Sequence, residues 1–484
     1  MRAPDYDCLV DAGVGDDTGG LSVAESPQAD RYEAHAATFV KEHRLPGAAL
    51  GVLEDGELVW SGSVGFADLA TGRRPDESSL YRIASITKTF TGTAVMQLLA
   101  AGRLQLDDQA VSFLPELGRA SRRFAPIEGV TIRRLLSHES GLRSDPLGTD
   151  WAVPRYEGDV DATLAQVEEI AAVIPPNRQW KYSNLGYQLL GEIVARVSGI
   201  PYVDYVISNI LQPLGMASTS FEPLPRHLAD RVATGYIGRA FSDELDVAPV
   251  MPPVFAEGGL WSCVEDLSRW LKLQLGAHGD VAVAEHATGG VLGARDLREM
   301  HKARYLADDD WTRAWGISWS AVRANDVIWV QHSGGLPGYR TNVCFDPRSG
   351  VGAIALINGA GDAAALAIGL AGIAREGARA KAPELSRPPA MPPRYRPLLG
   401  AYRGLDMSFF LEWRDGELTC VNPEDPTWRP TLAATDDDDS FLVGPGYRES
   451  GERVTFERLP DGRVASANLT AHTVRRQDDV TTDG

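Results

Sequence analysis

Apolar and polar positions change their period along the chain, and each change marks an element. Apolar or small residues at Tyr32, Ala36, Phe39 and Val40 follow the spacing of one helix face, and this run stops at Arg44-Leu45-Pro46-Gly47. The stretch AALGVLEDGELVWSGSVGFADL, Ala48 to Leu69, sets apolar runs on either side of Asp55-Gly56, a dipeptide suited to a tight two-residue turn, and predicts a β-hairpin. From Ser85 the period becomes helical again. Phe90, Ala94, Val95, Leu98 and Leu99 share one face, and the run closes near Gly102. The same spacing predicts helices at 131–137, 162–172, 184–198, 202–210, 264–275 and 361–376. Short β-branched runs return late, in DVIWVQH, TNVCFD and GVGAIALIN. Strands at both ends with helices between them predict an α+β fold: one antiparallel sheet flanked by helices, with an all-helical subdomain.

The texture changes after residue 376. Prolines 383, 388, 389, 392 and 393 favour extended backbone, so 377–394 reads as a linker. Residues 395–477 alternate short strands with Asp-Gly turns at Asp415-Gly416 and Asp461-Gly462, which predicts a small antiparallel β-barrel or sandwich. The expected organisation is a disordered tail over 1–27, a main domain over 28–376, the linker, the barrel over 395–477 and a short tail over 478–484.

Charge narrows the partners. A net charge of −19 argues against nucleic acid, because phosphate contacts need clustered lysine and arginine. Asp436 to Asp439 reads as a solvated loop. Cys8, Cys263, Cys344 and Cys420 lie far apart, without the spacing of a disulfide framework or a zinc site. The glycines at 13, 15 and 19 miss the dinucleotide-binding spacing by one residue. The first twenty residues lack the basic and apolar regions of a signal peptide, and no stretch has the length of a membrane span; the expectation is a cytoplasmic protein without a membrane partner.

Candidate chemistry begins at YRIASITKTF, residues 81–90. Only six of the 47 basic residues are lysines, yet one of them, Lys88, stands three positions after Ser85. One helical turn puts the two on the same face. A serine hydroxyl attacks a carbonyl poorly unless a base takes its proton, and a lysine serves only if burial or neighbouring charge lowers its pKa from about 10.4. A capping serine beside a solvated lysine would look the same in isolation. WKYSNLGYQLLG adds Tyr182, able to share a proton with Lys88, and Asn184, able to hold a substrate amide. VQHSGGLPGYR adds His332, Gly334 and Gly335 at the end of an expected strand, whose edge could line the substrate and lend an N–H to an oxyanion. His138-Glu139 lacks the second histidine of a metallopeptidase pair, since Leu142 stands there. His138 is expected to support a helix end, and Gly141 to end that helix.

Ser85-x-x-Lys88, Tyr182-x-Asn184 and His332-x-Gly334, in this order, resemble the three motifs of the serine β-lactamase and penicillin-binding-protein superfamily, in its class C-like branch. LLSHESGL at 135–142, LQPLGMASTSF at 211–221 and GGLWSCVEDLSRW at 258–270 look like further segments of that branch, and the resemblance runs from about residue 28 to 376. It implies Ser85 as the acylated nucleophile, Lys88 and Tyr182 as a shared proton shuttle and Asn184 as the substrate-orienting amide. His332 opens the third motif, and the N–H groups of Ser85 and Gly335 form the oxyanion hole. No metal or organic cofactor is required. The substrate is a small ester, thioester or amide, or a D-amino-acid peptide, delivered free or as a carrier-bound thioester.

The third motif departs from the Lys-Thr-Gly of antibiotic-hydrolysing members. Lysine is a permanent cation at neutral pH, whereas histidine, with a pKa near 6.5, is mostly neutral; the histidine form resembles the esterase, D-aminopeptidase and thioesterase-like members. The final domain resembles the lipocalin-like barrels of penicillin-binding-protein-type thioesterases that cyclise nonribosomal peptides. In that subgroup a basic residue near the barrel's end meets a peptide carboxylate, and Arg475 and Arg476 hold a comparable place. An edge-strand charge pair is the plainer reading of those two arginines. Three functions follow from the sequence: a serine hydrolase or acyltransferase, a peptide-cyclising thioesterase, and a binding protein that keeps the fold without activity.

Overall fold

The computed structural model describes residues 27–120, 126–145, 164, 167, 173–238, 244–250, 255–278, 290–324, 327–381, 390–404, 408–414, 416–422, 429–444, 450–469 and 472–477. The expected tails, the helix at 162–172 apart from residues 164 and 167, and the linker between 382 and 389 lie outside them. The chain divides into two compact units, residues 1–381 and 382–484. Among the described residues no helix is long and apolar enough to cross a membrane.

The first unit is built on one eight-stranded sheet. Its strands in chain order are β1 (Gly47–Glu54), β2 (Glu57–Gly65), β3 (Tyr305–Leu306), β4 (Arg313–Trp315), β5 (Ser320–Ala324), β6 (Val327–Leu336), β7 (Tyr339–Asp346) and β8 (Val351–Ile357). Their spatial order is β2-β1-β8-β7-β6-β5-β4-β3, with antiparallel neighbours. The two ends of the domain therefore meet at β1 and β8, where Ala48 pairs with Ile357 and Val52 with Ala353. Strands 3 to 5 carry no sustained apolar run, which is why the hydrophobic pattern passed over them. The sheet is covered on both faces. Alternate residues of β1 serve different cores: Leu50 and Val52 pack with helix α1 (Ala29–Glu42), while Ala49 and Leu53 belong to the core around α2 (Thr87–Ala100). Such two-sided burial makes β1 an almost continuous apolar run.

The helices that frame the site begin and end for local reasons. Helix α3 (Ile132–Leu136) takes Thr131 as its cap, whose hydroxyl accepts from the Arg134 N–H. Its far end closes on His138 rather than on Gly141. His138 has φ +62°, its N–H donates to the Leu135 carbonyl, and the next N–H donates to that of Arg134. This is the paired closure normally made around a glycine. Helix α4 (Asn184–Ser198) is capped by Ser183, whose hydroxyl accepts from the Gly186 N–H at 3.0 Å, and ends at Gly199 in the left-handed region. Helix α5 (Val264–Gly276) packs on β1 and β8, and α6 (Ala294–His301) on α2. Helix α7 (Ala363–Lys381) packs on the other face and runs five residues into the stretch expected to be linker. Residues 378–381, Ala-Arg-Ala-Lys, are good helix formers that carry the helix past Gly377, and no proline interrupts it before residue 383.

The second unit is a closed eight-stranded antiparallel barrel, in which Gly400–Arg403 pairs with His472–Gln477 to complete the ring. Closure removes the exposed edges an open sheet would leave. Its core includes Tyr402, Phe409, Leu411, Phe441 and Phe456.

Candidate active site

Ser85 sits in a single 3₁₀ turn, Ala84–Ile86, immediately before α2. Ala84 has φ +47°, a left-handed value that an alanine adopts only at a cost of about 1 kcal/mol or more. The surroundings hold it there. Strand β6 passes so close that a Cβ on Gly334 would stand 2.1 Å from the Ile83 carbonyl oxygen and 2.3 Å from the Thr341 hydroxyl. That hydroxyl donates to the same carbonyl at 3.1 Å. Gly334 thus lets the third motif brace the turn that presents Ser85. The glycines of His-Ser-Gly-Gly belong to the strand, which continues to Leu336; the turn follows at Pro337-Gly338. His332 accordingly lies within β6 and not at its end.

One turn along α2, Lys88 has no exposed surface. Its Nζ lies 3.0 Å from Ser85 Oγ and donates to the Glu257 carbonyl at 2.5 Å. The amine stands over the rings of Tyr182 and Tyr187, 5.0 and 5.5 Å from their centroids. Burial pulls its pKa down to about 7, against the opposing pull of the Glu257 and Asp145 carboxylates. Tyr182 is hydrogen-bonded to Ser85, and burial outweighs that bond to push the phenol upward. Ser85, Lys88 and Tyr182, separated by almost a hundred residues in sequence, thus form one cluster. Asn184 opens α4 beside it, and its side-chain amide donates to Asp145 at 2.8 Å.

His332 belongs to the same cluster but not to its exposed wall. It is 2% exposed, and its Nδ1–H donates to the Ser333 carbonyl at 2.7 Å. Its ring meets Trp315 edge-on at 5.6 Å, and Trp315 in turn meets Tyr182. Burial, helped by the Lys88 charge, lowers its pKa to about 3, so the imidazole is neutral. His138 is likewise buried, its ring 4.1 Å from that of Tyr182 and its Nδ1 accepting from the Ser183 N–H at 3.1 Å. Burial first, then the charges of Lys88 and His332, depress its pKa well below the ordinary value. Two neutral histidines and a tryptophan therefore pack behind Tyr182, whose ring with that of Tyr187 covers the amine.

The cluster opens onto a cleft of about 700 Å³ whose walls include Ser85, Asn184, Glu257, Gly335 and Arg340. Gly335 and Ser85 thus face one space. Arg476 is engaged within the barrel unit, where its guanidinium donates to the Pro397 and Leu399 carbonyls at 2.5 and 2.9 Å.

Three participants escaped the sequence reading. Glu257 stands one residue before the segment beginning at Gly258, Asp145 precedes no recognisable pattern, and Arg340 closes the stretch VQHSGGLPGYR without having been singled out. The alternation of β7 was the available signal for Arg340, because it places that residue opposite Gly335.

A serine held by a buried amine and a tyrosine, at the mouth of a cleft between a sheet edge and a helical region, defines a β-lactamase-related serine hydrolase. The chain belongs to the Beta-lactamase family, whose model matches residues 32–376. It is similar to penicillin-binding protein 4 of Amycolatopsis lactamdurans, with 31% identity over 373 residues, covering 75% of this chain and 94% of that protein. Among solved structures it resembles the octameric penicillin-binding-protein homologue from Pyrococcus abyssi, with a TM-score of 0.60 at 23% identity, over 92% of this chain and 99% of that one. It also resembles a D-stereospecific amidohydrolase from Streptomyces sp., with a TM-score of 0.57 at 22% identity, over 70% of this chain and 97% of the other. The two structural matches speak to the fold.

Proposed function

We propose that this protein forms an acyl-enzyme on Ser85 from a peptidyl ester, thioester or amide containing a D-amino acid, and passes the acyl group to water. The observation that carries this reading is the 3.0 Å approach of a fully buried lysine amine to Ser85 Oγ, with a pKa near 7. At neutral pH much of that amine is uncharged. One N–H is engaged by the Glu257 carbonyl, which turns the lone pair toward the serine hydroxyl. Lys88 takes the proton as Oγ bonds to the substrate carbonyl carbon, and Tyr182 relays it to the leaving oxygen, sulfur or nitrogen as that bond breaks. The N–H groups of Ser85 and Gly335 receive the oxyanion. Water repeats the sequence in reverse and frees the acid. The D-configuration is suggested by the Streptomyces amidohydrolase that shares the fold.

The cleft volume of about 700 Å³ suits a group of peptide size, which also accommodates an amine of the substrate as acceptor. Ring closure would then replace hydrolysis. A linear peptidyl thioester ending in a D-residue separates the two: the hydrolase yields the free acid, the cyclase a product lighter by one water. The acyl-enzyme itself is tested by fluorophosphonate labelling and intact-mass measurement. The expected result is one adduct on Ser85, absent from Ser85→Ala. An unlabelled wild-type protein that also cleaves no activated ester would refute the reading.

A further inference from the structure

The loss of lysine from the third motif leaves a question of charge: which group in the cleft meets a substrate anion? His332 does not, since it is neutral, buried and committed to the Ser333 carbonyl. The answer lies across the ladder. Gly335 on β6 pairs with Arg340 on β7, and both line the cleft with Ser85.

We propose that Arg340 is the specificity-determining residue of this cleft and selects substrates bearing a free carboxylate, such as the α-carboxylate of a peptide. The proposal rests on the acyl-enzyme reading of Ser85.

Four observations carry it. The Arg340 side chain lies over Gly335: a Cβ built there would stand 3.6 Å from its Cδ and Nη1 and 3.7 Å from Cζ, at ordinary contact distance. Glycine leaves this strip of wall low, so the guanidinium is the nearest side chain above the strand edge that carries the Gly335 N–H. Nη1 is fixed by donating to the Leu336 and Tyr339 carbonyls, both at 2.8 Å. Those bonds orient the planar group and leave Nε and Nη2, one edge of the fork, for a bidentate anion. Arg340 is exposed and makes no ion pair among the described residues, so no carboxylate of the protein must be displaced. Of the acids nearby, Glu257 is 2% exposed and accepts from Gln188 at 2.7 Å, while Asp145 is held by Asn184 at 2.8 Å. Among the described residues the cleft therefore has an acidic, amine-bearing floor and one guanidinium in its wall, a polarity that orients a substrate with one anionic end.

The test uses the full chain and two matched substrate pairs. In one the carboxylate is on the acyl side: the p-nitrophenyl monoester of glutaric acid against its methyl ester. In the other it is on the leaving group: acetyl esters of 3-hydroxybenzoic acid and of 3-hydroxybenzamide. In at least one pair the acid should be preferred in kcat/KM by roughly tenfold to a hundredfold, chiefly through KM, as a charged hydrogen-bonded contact supplies. Arg340→Gln should collapse that ratio toward one, and Arg340→Lys should restore part of it. Because arginine keeps its charge, the preference should persist from about pH 6 to 9. Labelling of Ser85 by a neutral fluorophosphonate checks that each variant is folded. A ratio near one in the wild type, or a ratio that survives Arg340→Gln in both pairs, overturns the assignment. Failure of the underlying reading looks different: no adduct on Ser85 and no turnover of either member of a pair.

Discussion

Helices α1 and α2 are both fourteen residues long, yet they solve opposite problems. Helix α1 buries one stripe, Tyr32, Ala36, Phe39 and Val40, and leaves charged residues on its other side, including Arg31 in an exposed ion pair with Glu376. Helix α2 is enclosed on nearly every side, although it contains four threonines and a lysine. Its threonine hydroxyls are hydrogen-bonded within the protein. Thr89 and Thr93 donate to the Ile86 and Thr89 carbonyls, Thr91 donates to Ala256 at 2.6 Å, and Trp270 stacks on Phe90 at 3.9 Å. Burial stabilises α1 through apolar area alone. In α2 the same burial strips water from an amine and so changes its chemistry. A helix that is wholly enclosed can carry function precluded in one that is half solvated.

Three substitutions sharpen this contrast. Lys88→Met should slow acylation of Ser85 by about a thousandfold, within the range that general bases contribute, as read from time courses of fluorophosphonate labelling. It should also reshape stability. The folded pKa is depressed to about 7, so between there and the unfolded value near 10.4 the unfolded chain binds more protons. Wild-type stability should therefore rise with pH across that window relative to Lys88→Met, which denaturant titrations at pH 7 and pH 10 would show. Thr91→Val leaves the Ala256 carbonyl without its donor and Tyr202 without its 2.8 Å acceptor. The expected cost is about 1–3 kcal/mol in urea unfolding. Arg31→Ala on α1 removes only exposed contacts, with Glu376 and Gln28, and should stay within about 0.5 kcal/mol. Equal costs for the last two would erase the distinction between the helices.

The two helices also show what could be read in advance. The stripe of α1 and the Asp55-Gly56 hairpin are local patterns and were legible. The Ser85–Lys88 pair was legible because one helical turn fixes it. Tyr182 and His332 needed the resemblance, since nothing local says that residues so far apart converge. The enclosure of Lys88 was not legible: Thr89, Thr91 and Thr93 give α2 the look of a helix with one apolar stripe. His332 was misplaced because two glycines read as a turn, whereas Gly334 is there for the close passage of Ile83. His138 hides a left-handed cap that sequence rules assign to glycine.

The central claim is that burial makes Lys88 the base for Ser85. The most direct measurement is the rate of Ser85 acylation by a neutral activated ester from about pH 5 to 10. The account predicts a rise with a single inflection near 7 and a plateau above it. A rate that is flat across the range, or one still climbing at pH 10 as an ordinary lysine would require, would contradict it.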